Sequence, residues 1–118
     1  MSKNIGEEIE DALHEGREVS PELHSLMQKA RKASDFLKAL GNENRLVILC
    51  LLAERERTVT ELEGLLALGQ ATVSQQLARL RHEGLVDTRR DGRAIYYSIA
   101  DETTKRFIQA IYDKFCRA

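Results

Sequence analysis

Apolar positions recur at helical spacing along most of this chain and switch to strand spacing once. Leu23, Leu26, Met27, Ala30, Leu37 and Leu40 share one helical face, which predicts a long amphipathic helix. Ser20 can cap it, Pro21 suits its first position and Gly41 its end. From about Asn44 to Glu54 the segment "LVILCLLA" is apolar all round and predicts a central buried helix. "TVTELEGLL" predicts the next, with Thr60 and Glu63 as a capping box and Leu62, Leu65 and Leu66 facing inward. After the break "ALGQ", the segment "QATVSQQLARLRHEG" predicts a further helix closed by Gly84. Its Val73, Leu77 and Leu80 face one way, and Ala71, Gln75, Ala78, Arg79 and His82 the other. Then "LVDTRR" and "AIYYSI", joined by "DGR", read as a β-hairpin. Asp101 can cap a last helix whose apolar stripe is Phe107, Ile108, Ile111, Tyr112 and Phe115.

Residues 1–19 stand apart. Ile5, Ile9, Ala12 and Leu13 have helical spacing, but the acidic surroundings and the following "HEGREVS" leave a helix and disorder both open. The reading is an acidic extension over 1–19 and one folded domain over 20–118. With 118 residues, 42% hydrophobic and 31% charged, the chain has the composition of a globular protein with one core. No apolar run approaches the ~18 residues of a membrane span, and the start lacks the apolar stretch of a signal peptide. The expectation is a cytoplasmic protein with no membrane partner, in a compartment that disfavours permanent disulfides. The net charge of −1 conceals a division: residues 1–20 hold two basic and six acidic residues, the remainder 16 and 13. Five arginines against three acids between Gln70 and Ile95 give that stretch local positive character.

Two short helices with a tight turn, the second exposing small and polar side chains, describe a helix-turn-helix. Gln70 and Gln75 offer amides that can read adenine edges, Thr72 and Ser74 offer hydroxyls, and Ala71 is small enough for close approach. Arg79 shares that face, whereas Gln76 lies nearer the core side. The hairpin adds Arg89, Arg90 and Arg93 close to its tip, where phosphates or a minor groove would be met. Taken singly these residues would do no more than solvate a surface. Together they predict a mainly α fold with a β-hairpin wing, a winged helix-turn-helix whose partner is double-stranded DNA. The apolar stripes of the first long helix and the last exceed what one small domain can cover, which predicts a homodimer.

"LKALGNENRLVILCLL", "TVTELEGLLALGQATVSQQLARLRHEGLV" and "TRRDGRAIYYSI" resemble the ArsR/SmtB family of bacterial dimeric repressors over about residues 23–116. The resemblance implies a winged-helix homodimer joined through its first and last helices, with repression relieved by an inducer. One departure is Gly69, where the family often has a capping serine; glycine is an acceptable cap.

Two cysteines carry the remaining chemistry: Cys50 inside "RLVILC" and Cys116 in "YDKFC". Metal-responsive members have cysteines at the start of the third family helix and Asp, His and Glu ligands on the last. Here "TVTELEGLL" has no cysteine and "DETTKRFIQAIYDKFCRA" no histidine. The other donors are His14, His24 and His82, so the reading is no metal and no cofactor, with a site built from His24 and the thiols left open. The two cysteines match in position the pair of the family's thiol-sensing branch, which includes BigR, SqrR and HlyU. That likeness implies a repressor that binds its operator when reduced. It releases DNA when reactive sulfur species, persulfides or polysulfides, join Cys50 and Cys116 through a disulfide or short sulfur bridge. Lys114 and Arg117 flank Cys116 and make it the expected first nucleophile, with Cys50 as resolving partner. Inert packing of the cysteines, an anti-silencing activator and a metal- or haem-responsive repressor remain alternatives. No enzyme motif is present: there is no nucleophile elbow, phosphate loop or carboxylate pair with a nearby histidine.

Overall fold

The computed structural model describes residues 4–14 and 20–117. The elements run α1 (Ile5–His14), α2 (Pro21–Leu40), α3 (Glu43–Glu54), β1 (Arg57–Thr58), α4 (Val59–Leu66), α5 (Gln70–His82), β2 (Val86–Asp91), β3 (Ala94–Ile99) and α6 (Glu102–Phe115). What the sequence leads one to expect at 1–3 and 15–19 lies outside the described residues. Backbone packing divides the chain into two compact units, one ending at Asp35 and one beginning at Phe36. Among the described residues no helix is long and apolar enough to cross a membrane.

In the first unit, residues 5–14 take the helical alternative, started by Asn4, whose side-chain oxygen accepts the N–H of Glu7 at 2.9 Å. Ser20 caps α2 as its sequence predicts, accepting the N–H of Leu23 at 3.0 Å. Met27 of the predicted inner stripe is 57% exposed.

The second unit is built around α3. Ile48 and Leu49 are fully buried there, against Leu62 of α4, Val73, Leu77 and Leu80 of α5, and Ile108 of α6. Each such side chain contributes about 1.5–3 kcal/mol by leaving water. Asn42 caps α3 and Asp101 caps α6, the latter accepting the N–H of Thr104 at 2.7 Å. That bond, with the Thr104 hydroxyl at 2.9 Å, holds the Asp101 carboxyl below the usual carboxylate range.

Three local expectations change. The cap of α4 is Thr58, not Thr60: its hydroxyl accepts the N–H of Glu61 at 3.2 Å. The segment contains the Thr-x-x-Glu spacing twice, and pairing of Thr58 with Tyr96 in β1 fixes it in extended backbone just before the helix. Leu65 is 55% exposed, because an eight-residue helix turns only Leu62 fully inward. On α6 only Ile108 of the expected stripe is buried, while Phe107, Tyr112 and Phe115 stay 42%, 42% and 74% exposed.

The sheet has the order β1-β3-β2, all antiparallel. Asp91 pairs with Ala94, which leaves Gly92 and Arg93 as a two-residue turn. Gly92 has φ +61° and Arg93 is not left-handed, the arrangement of a type II′ hairpin turn with glycine first.

Candidate functional site

The turn between α4 and α5 is three residues, Ala67 to Gly69, with Ala67 in the left-handed region at φ 55°. An alanine there is strained by about 1–2 kcal/mol, which the burial of Leu62, Val73 and Leu77 on either side outweighs. The turn leaves α5 lying across α3 with its outer face open. Gln70, Ala71, Ser74, Gln75 and Arg79 are exposed and Thr72 is half-buried. Gly69 starts the helix without any side-chain cap, so the first N–H groups of α5 are left for another acceptor. Arg79 forms an i,i+4 ion pair with Glu83 at 3.6 Å. Gln76 is half-buried, its side-chain oxygen accepting from Arg45 Nη1 at 3.2 Å.

The wing arginines are not equivalent. Arg90 and Arg93 are exposed, with no ion pair among the described residues. Arg89 is tied down: its Nε donates to Glu56 Oε2 at 2.8 Å and its Nη2 to Glu56 Oε1. Its guanidinium also lies 4.4 Å above the Tyr96 ring, and Asp91 approaches to 3.9 Å. The hydrogen bond from Arg89 holds the Glu56 carboxyl below the usual range, so the pair is charged at neutral pH. The sequence groups Arg89 with the other wing arginines; in the fold its guanidinium also holds Glu56, the residue just before β1. No local pattern signals a partner 33 residues away.

The two cysteines stand on facing elements. Cys50 is half-buried on the α6 side of α3 and opens into a cavity of about 370 Å³, which Glu54, Ile108, Gln109, Tyr112 and Arg117 also line. Cys116 is exposed and ends α6, its N–H donating to the Tyr112 carbonyl at 2.8 Å. Burial pushes the Cys50 thiol up, and the nearby Cys116 and Glu54 add to the shift. Arg117 pairs with Asp113 at 3.5 Å beside the same cavity. Among the described residues no group of three or more His, Cys, Asp or Glu is arranged to hold a metal ion. Neither the α4 start nor α6 carries the donor set that zinc or softer metals require.

A short helix-turn-helix, an open polar face on its second helix and a hairpin with two exposed arginines make up a winged helix-turn-helix. Residues 42–88 match the model of the bacterial regulatory protein family arsR. Over 96 residues the chain is 38% identical to the transcriptional activator HlyU of Vibrio cholerae, covering 81% of this chain and 89% of that one. The chain belongs to the ArsR family. It is 42% identical over 94 residues to the biofilm growth-associated repressor of Agrobacterium fabrum, covering 80% of each. The structure of reduced Vibrio cholerae HlyU superposes with a TM-score of 0.75 over 80% of this chain and 99% of that one. A homodimeric winged helix-turn-helix DNA-binding domain from Mycobacterium bovis, solved by NMR, is 33% identical. It superposes at 0.68, over 85% of this chain and 93% of that one. This ArsR-family protein is a transcriptional regulator with a winged helix-turn-helix fold, in a family of DNA-binding regulators and not of enzymes.

Proposed function

We propose that this regulator is a dimeric, dithiol-based repressor. It binds operator DNA while Cys50 and Cys116 are reduced, and releases it when reactive sulfur species join them. The observation that carries the reading is the pair of free cysteines, Cys50 half-buried on α3 beside a cavity that α6 residues also line and Cys116 exposed at the end of α6. The chemistry balances without a further oxidant. A persulfide RSSH passes its outer sulfur to the exposed Cys116 thiol, giving Cys116–S–SH and RSH. The Cys50 thiol then attacks the inner sulfur, forming the Cys50–Cys116 disulfide and releasing H₂S. Further sulfur transfer before closure would lengthen the bridge and relax the roughly 7 Å Cα limit of a disulfide.

DNA recognition follows from α5 and the wing. Gln70, Thr72, Ser74 and Gln75 read base edges, Ala71 allows close approach, and Arg79 with the free wing arginines meets phosphates. Dimerisation is supported by the exposed aromatics Phe107, Tyr112 and Phe115 on α6. A second reading, an activator that displaces a silencing protein, draws support from the likeness to HlyU, named a transcriptional activator. Both readings use the same reading head and thiol pair.

Fluorescence anisotropy with the duplex that the reduced protein enriches from a random pool tests the switch. Reduced wild type should bind, donor-treated wild type should bind about 30- to 150-fold more weakly, and added thiol should restore affinity. Cys50→Ser and Cys116→Ser should bind like reduced wild type and ignore the donor. Equal release from either serine variant refutes the dithiol switch.

A further inference from the structure

We propose that Arg45 is the positioning residue of the reading helix, joining α3 to α5 through Gln76. Every nitrogen of its guanidinium is in use. Nε donates to the Ala39 carbonyl at 2.7 Å, Nη2 to the Lys38 carbonyl at 3.3 Å, and Nη1 to Gln76 Oε1 at 3.2 Å. Lys38 and Ala39 belong to the last turn of α2; the Lys38 carbonyl also accepts the Gly41 N–H at 3.2 Å, whereas Arg45 is the partner of the carbonyl of Ala39, which is fully buried. One rigid planar group therefore satisfies a buried helix end and holds the flank of α5. A lysine has three donors, but they sit on one compact nitrogen without the planar fork that spans the separated Ala39 and Gln76 acceptors.

The placement of Gln76 gives the contact its consequence. It lies between Leu77, fully buried, and Gln75, exposed on the face expected to read DNA. Apolar contacts such as those of Leu77 are non-directional and tolerate small rotations of α5 about its axis. A hydrogen bond to Gln76 does not, so it fixes the angle at which Gln75 and Ser74 are presented. Arg45 is also five residues before Cys50 on the same helix, so a shift of α3 forced by a bridge at Cys50 reaches α5 along this bond. The inference rests on α5 being the reading helix and, for the relay, on the thiol switch proposed above.

The test compares the pool-enriched duplex with a scrambled duplex of equal composition, across reduced wild type, Arg45→Lys, Gln76→Leu, Gln76→Glu and the Arg45→Lys/Gln76→Leu double variant. Arg45→Lys and Gln76→Leu should each lower the ratio of specific to scrambled affinity about tenfold, with the salt slope unchanged. The double variant should be no worse than either single one. Gln76→Glu keeps an acceptor in place; its charge weakens both duplexes alike, so the ratio should stay within about twofold of wild type. Donor treatment should release DNA from Arg45→Lys by a smaller factor than from wild type. Unchanged ratios with only a lower melting temperature, or losses that multiply in the double variant, overturn the proposal. Gln75→Ala separates the two levels. If it lowers the ratio while Arg45→Lys does not, only this inference falls; if it too is silent, α5 is not the reading helix.

Discussion

Removing one wing arginine should reveal how the fold divides their work. Arg93 stands exposed in the turn of the hairpin without an ion pair among the described residues, whereas Arg89 holds Glu56 through two hydrogen bonds and stacks on Tyr96. An arginine that neutralises a phosphate contributes about 0.9 to the slope of log affinity against log salt, or about 1.8 for the two wings of a dimer. Between 50 and 200 mM salt that slope corresponds to about a 12-fold change in affinity. Arg93→Ala should therefore bind scrambled duplex with a slope shallower by about 1.8, and lose its deficit against wild type as salt rises. Arg89→Ala/Glu56→Gln removes a pair whose charges already cancel, and its slope should lie within about 0.5 of wild type. Glu56→Gln alone frees Arg89 and should steepen the slope. Anisotropy titrations at four or five salt concentrations measure all three. A double variant whose slope flattens as far as that of Arg93→Ala would show that Arg89 meets phosphate directly, and would refute the division.

Gln75→Ala should cost about 1–3 kcal/mol of specific binding and relax base preference at one position in each half-site, read by repeating the pool selection with the variant. Sedimentation at micromolar concentration should show a dimer, and Phe115→Glu, at the most exposed aromatic of α6, should shift it toward monomer; wild-type monomer would remove the basis for paired half-sites. Cys50 should alkylate with a pH midpoint above that of an ordinary cysteine. Burial is the largest cause of the shift and persists in Cys116→Ser, whereas the smaller contribution of the Cys116 charge disappears. Because the folded state favours the protonated thiol, this group's contribution to stability is complete below the ordinary cysteine value. It is lost as pH rises through the shifted one. A midpoint at or below the ordinary value would contradict the environment described for α3.

Much of this architecture was legible because its signals are local. Ser20, Asp101, Gly84 and Gly92 announce helix ends and a turn by residue type, and the spacing of Val73, Leu77 and Leu80 gives the buried face of α5, leaving Gln75 outside. The illegible features come from partners distant in sequence. β1 is two residues long and shows no alternation, yet it selects Thr58 over Thr60 as the cap of α4. The pairing of Arg89 with Glu56 and of Arg45 with Gln76 spans 33 and 31 residues, and no periodicity encodes either. The apolar stripe of α6 is visible in sequence, but only contact with α3 decides that Ile108 is covered while Phe115 is not. For the thiols, sequence supplies two positions; the fold adds that Cys50 is half-buried beside a cavity that α6 also lines, and that Cys116 is exposed at the end of α6.

The most direct test of the thiol switch is peptide mass mapping of the protein that donor treatment frees from DNA, digested without reduction. The account predicts a Cys50–Cys116 link within one subunit, as a disulfide or with extra sulfurs in steps of one sulfur mass. Its yield should match the fraction of DNA released and vanish on adding thiol. Release with both cysteines still reduced, with a link only between subunits, or in the Cys50→Ser/Cys116→Ser double variant would contradict it.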